Sequence, residues 1–247
     1  MPEHRTDSHA AFMPLPQTHL QLLRQMHDAG YGAAELAQAQ AAYWLAAECF
    51  SGRVRASGKP FLCHLVGTAA AAVTERPPLA VIQAALCHGI HRSGDFGRMR
   101  PPARDALILA RLGAETDAML RAFAALQRDR GAVLAALLAQ PPAQAQPVAR
   151  WRALIWAANE VDELADAGLN FSQPKPQRRA RVETAGLLCR HFGWHRLQAL
   201  LEAAKQVEAG ADWARPLASP YVGSQFLAHR APPTLLDRLR RIYWRLR

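Results

Sequence analysis

Apolar residues recur every three or four positions along most of the chain, which is a helical period. The first such run predicts a helix from about Thr18, with Leu20, Leu23 and Met26 or His27 inward, stopping near Gly30-Tyr31-Gly32. A second covers about 33–50, with Leu36, Tyr43, Ala47 and Phe50 inward. A polar loop, 51–60, then leads into a helix from Pro60 to about Thr74, which Glu75-Arg76-Pro77-Pro78 ends. Within that helix Gly67 and Thr68 are small enough to admit the close approach of another helix or a ligand. Leu79 to about Ile90 is apolar nearly all round and belongs at the centre of a domain.

Further helices are expected at 101–112, ending at Gly113, at 115–128 with Met119, Leu120, Phe123 and Leu126 inward, and at 133–138. A surface loop fills 141–147. The segment Arg150 to Ala167 carries a stripe of Leu154, Ile155, Ala158, Val161 and Leu164. It also gathers Asn159, Asp162 and Glu163 on adjacent turns, and an amide inside an apolar face needs partners. A Pro/Arg-rich connector, 173–181, precedes a helical stretch 182–207 that breaks at Gly193. Residues 215–233 read as loop, and an arginine-rich helix, 234–247, closes the chain.

Composition agrees with an all-α fold: half of the 247 residues are apolar, and β-branched residues are sparse. The expected organisation is a loose arm at 1–16, a helical-bundle domain at 17–171 and a basic helical extension at 172–247 packed on the same core. The net charge of +10 is concentrated in that last third, with 14 Lys+Arg against 5 Asp+Glu from Ser172 onward. Arginine dominates and is spread along amphipathic helices, so nucleic acid is not the expected partner. Cys49, Cys63, Cys87 and Cys189 form no CxxC pair, which argues against a disulfide framework or zinc knuckle. No run of 18 apolar residues and no signal pattern appears, so a cytoplasmic location without a membrane span is expected.

The candidate chemistry lies between Arg53 and Phe96. His64 falls in the first turns of one helix and His88 in the last turn of the next. The stretch Arg55, Ser57, Gly58, Pro60, Phe61, His64 resembles the R-x-S-G-x-P-[FY]-x-x-H entry motif of RelA/SpoT-type hydrolase domains in the HD-domain superfamily. The run Ala84-Ala85-Leu86-Cys87-His88-Gly89 resembles that family's apolar helix ending in L-L-H-D, and Ala158-Asn159 its later A-D step. The likeness covers roughly 38–169, and the GDFG loop at 94–97 suggests a bacterial, degenerate branch.

The resemblance implies an HD-like helical bundle and metal-assisted hydrolysis of a nucleotide or other small phosphate ester. It implies His64, His88 and Asn159 as metal ligands, with Asp162 one turn on as a substitute carboxylate. Manganese, iron or zinc is the implied cofactor. Arg55 would hold the nucleotide base, and Arg53, Arg55, Lys59 and Arg92 the anion. Gly89 stands where the family has its HD aspartate, and Arg92 and Ser93 stand where it has an acidic pair. Asp95, in the loop after His88, or Asp162 would supply the missing carboxylate, with Asp95 and Arg92 as the catalytic candidates. Two readings therefore stand: a metal-dependent phosphohydrolase, or a catalytically degenerate HD-type protein that binds a nucleotide or a partner protein.

Overall fold

The structure, a computed structural model, describes residues 15–55, 57–126, 128–168 and 176–211, together with the backbone strand 225–227. Its elements in order are α1 (His19–Asp28), α2 (Ala33–Phe50), β1 (Arg53–Arg55), α3 (Phe61–Val73), α4 (Leu79–Cys87), α5 (Ile90–Ser93), α6 (Pro101–Leu126), α7 (Arg130–Ala139), α8 (Pro147–Ala165), α9 (Pro176–Phe192), α10 (His195–Ala209) and β2 (Gln225–Leu227). The protein is all-α in class, and the terminal helix expected at 234–247 lies outside the described residues.

Local chemistry sets most boundaries. Thr18 caps α1 in a reciprocal capping box with Gln21. Gly113 takes a left-handed φ of 81°, so α6 bends where the sequence predicts a helix end. Proline opens α8 at its first turn, which moves its start from the expected Arg150 to Pro147. The same residue type opens α9 at Pro176, so the connector ends earlier than expected.

Other expectations are corrected by packing. Leu20 is 66% exposed, whereas Leu22 and Met26 are buried. Leu20 lies roughly 200° around the helix from Leu22, so only one of the two can face inward. On α2 the buried face is Ala39, Ala42, Leu45, Ala46, Cys49 and Phe50, with Leu36 and Tyr43 only at its margin. The loop after Phe50 contains strand β1, which pairs antiparallel with β2 so that Arg55 faces Gln225 and Arg53 faces Leu227. That pairing joins residues about 170 positions apart, beyond the reach of local pattern. Leu15, expected in a loose arm, is buried in the core.

The core is built around α3, α4 and α8. Every residue from Ala80 to Cys87 is buried, as the all-round apolar run predicts. On α8 the predicted stripe of Leu154, Ile155, Ala158, Val161 and Leu164 is buried. Ala69, Ala70, Ala71 and Ala72 on α3 are fully buried, and their small side chains let other helices come close. Helices α9 and α10 pack on α8 through Ala185, Leu188, Leu197 and Leu201, all within the same apolar cluster. Among the described residues no helix is long and apolar enough to cross a membrane.

Candidate functional site

The entry motif places its side chains where α3 crosses α8. Pro60 precedes α3, so His64 sits one turn in, with its ring completely buried. His88 caps the C-terminal end of α4. The two rings meet edge to face at 5.2 Å between centroids, within an aromatic row that runs Phe50, Phe61, His64, His88, Phe123.

Hydrogen bonds settle the tautomers. His64 Nδ1 lies 2.7 Å from Asp162 Oδ2. A carboxylate accepts, so Nδ1 carries the hydrogen and Nε2 keeps its lone pair. That Nε2 is buried and has no hydrogen-bond partner. His88 Nδ1 donates to Ala85 O at 2.8 Å, which leaves its Nε2 lone pair available as well. The Asn159 side chain faces both rings and donates to Glu160.

Burial favours the neutral form of both imidazoles. Burial lowers His64 well below the usual histidine range, and the charges of Arg55 and Lys59 lower it further. Burial pushes His88 down to about 4, against the pull of the Ala85 carbonyl. A folded value depressed below the ordinary 6.5 or so means the unfolded chain takes up the proton first. Stability from His88 is therefore complete above pH ~6.5 and lost as the pH falls toward 4, by up to about 3 kcal/mol. Urea midpoints at pH 7 and pH 4.5 should show that loss, and His88→Gln should reduce the difference between them.

The acids of α8 are all engaged by fixed cations. Lys59 Nζ is 2.7 Å from Asp162 Oδ1 and 2.5 Å from Asp166 Oδ2. Arg55 pairs with Glu163, Arg178 Nη1 lies 3.7 Å from the same carboxylate, and Arg181 pairs with Glu160. Burial opposes the charge on Lys59, but the two aspartates outweigh it and raise its pKa. Arg55 also lies over the Phe61 ring at 5.8 Å, and burial, together with Arg178 and Arg181, pushes it down to about 10.

Asp162 reaches this position because residue 67 is glycine. A Cβ there would lie 1.8 Å from Asp162 Oδ1 and 2.8 Å from its Cγ. The close approach expected at Gly67 is made by this carboxylate.

The structure thus brings together Arg55, Lys59, His64, His88, Asn159 and Asp162. It does not bring Asp95, whose exposed carboxylate accepts the Gly97 N–H within its own loop. Arg92 is exposed on α5 near Arg130, and Arg53 is half-buried on β1. Lys59, expected to hold substrate, is bound to Asp162 and Asp166, because its short reach from the α3 entry ends at α8. Asp162, expected to be a ligand, already has both oxygens occupied. Sequence reasoning missed Arg178, Arg181, Glu160, Glu163 and Asp166 as members of the site. The i, i+3, i+4, i+7 spacing of Asn159, Asp162, Glu163 and Asp166 is the signal that places two of them, Glu163 and Asp166, on the helix face of Asn159 and Asp162.

A divalent ion of the His-His-Asp-Asp kind does not fit these residues. The donors left over are two neutral imidazoles and an amide. A side chain at Gly89 would begin 3.4 Å from Phe61 Cζ and 3.5 Å from Phe50 Cζ, facing rings rather than an ion. Charges that keep a proton off His64 oppose a doubly charged ion more strongly. Among the described residues no three His, Cys, Asp or Glu side chains are grouped to hold a metal. His91, for its part, bridges α5 to α6, 3.7 Å from Asp105 Oδ1 and 3.4 Å from Asp117 Oδ1.

No family model and no curated protein matches the chain. Among solved structures, a metazoan orthologue of SpoT, described as hydrolysing ppGpp and playing a role in starvation responses, is similar at 15% identity. That similarity covers 73% of this chain and 97% of that one, with a TM-score of 0.45.

Proposed function

We propose that this chain is an HD-like helical protein, degenerate as a hydrolase, that binds a phosphorylated small ligand, a nucleotide first of all, without a metal ion. The observation that carries this reading is the grouping of Arg55, Arg178 and Arg181 around Glu160 and Glu163, beside His64 and His88. Guanidinium groups present donors in a fork that suits phosphate oxygens. Crowding of Arg55 with Arg178 and Arg181 in a buried setting is relieved by an added anion. The internal glutamates hold the guanidiniums in place in its absence. The entry motif from Arg55 to His64 supports an HD-like origin for this site.

Calorimetric titration with guanine and adenine nucleotides, in chelator and in manganese, tests the reading. Binding should persist in chelator, and Arg55→Gln should weaken it by about tenfold or more, the loss of one charge-assisted contact. Manganese-dependent release of phosphate from any of these nucleotides would establish the hydrolase reading in its place.

A further inference from the structure

The chain has 30 basic residues, of which only three are lysine: Lys59, Lys175 and Lys205. Of the two lysines among the described residues, Lys59 and Lys205, Lys59 is the one placed against a completely buried carboxylate. Its own side chain is only 10% exposed. Its ammonium joins Asp162 to Asp166, one turn apart on α8, while the other oxygen of Asp162 takes the His64 Nδ1–H. Asp162 enters through the gap left by Gly67, and the lysine ammonium, a point charge with three rotatable donors, joins it to Asp166.

We infer that the Lys59 ammonium is the resident cation of the α3–α8 seam, doing covalently the work of a dissociable metal ion between Asp162, Asp166 and the His64 imidazole. The seam is then complete without any divalent ion, whether or not a nucleotide binds beside it. An ammonium tethered to the α3 entry cannot be lost to a chelator or exchanged for another ion. It offers hydrogen bonds alone and no Lewis-acid centre for a phosphoryl oxygen or a water, so a divalent ion has no role in holding this fold.

Two measurements test this. Purified full-length protein should carry well under one manganese, iron or zinc per chain, and neither chelator nor added manganese should move its Tm. Lys59→Ala should lower the Tm by about 10 °C, because it leaves Asp162 buried without its counter-charge. Zinc or manganese should then raise the K59A Tm more than that of the parent protein, and this rise should vanish in Lys59→Ala combined with Asp162→Asn. Stoichiometric metal in the parent protein, a Tm that falls with chelator, a K59A Tm equal to the parent's, or one that no divalent ion raises would overturn the inference. If K59A does not fold, its instability agrees with the inference, and metal content and chelator response of the parent protein decide.

Discussion

Replacing Gly67 by alanine is expected to destabilise the protein by about 4 kcal/mol or more, through overpacking and a broken buried ion pair together. The added methyl would lie 1.8 Å from Asp162 Oδ1, with Asp162 Cγ at 2.8 Å and Gln17 Nε2 at 3.1 Å. The Gln17 amide ends a flexible side chain and can give way, but Asp162 cannot. Its two oxygens hold Lys59 and His64, and no part of it reaches solvent. Either α3 backs away from α8, opening the tightly packed alanine run, or Asp162 leaves and strands a buried imidazole N–H. Chemical denaturation of Gly67→Ala checks the magnitude. Thr68→Ala, one residue along the same helix, is the control, since its buried hydroxyl has no hydrogen-bond partner. It should cost far less.

Asp162→Asn is expected to cost about 3 kcal/mol, at the lower end for breaking a buried ion pair by changing one partner. The amide keeps the shape and one acceptor, so His64 and Lys59 cannot both be served as before. Lys59 retains Asp166, whose side chain is 48% exposed and therefore a weaker counter-charge. Asp166→Asn should for that reason cost under about 1 kcal/mol. A double-mutant cycle of Asp162→Asn with Lys59→Met separates the coupling from the individual losses. Removing both charges should be less damaging than the sum of the two single changes, because neither charge is then left buried alone.

Much of the fold is legible in local pattern. The all-round apolar run at α4, the α8 stripe and the break at Gly113 each follow from spacing or from backbone freedom at a single residue. The pairing of His64 with His88 is legible as well, from the entry motif and from two helices long enough to bring their facing ends together. The partners of those residues are not legible. Lys59 and Asp162 are 103 positions apart, and His64 and Asp162 are 98. A carboxylate on α8 has several cations within reach of a sequence-based argument. Among them, Arg178 and Arg181 lie in a stretch whose prolines read as a connector. Which cation meets which acid depends on the depth to which α3 sinks against α8.

The sequence by itself therefore determined the helical class, the central helices, the two histidines and the small residue at 67, because each depends on neighbours within a turn or two. Only the tertiary structure decided what the entry region does. The RVRASGKPFLCH stretch resembles a substrate and metal motif, and in the fold its Arg55 and Lys59 pair with Glu163, Asp162 and Asp166. The physical reason is that a buried carboxylate must find a counter-charge at whatever sequence distance packing provides one. Here the packing of α3 on α8 provides a lysine.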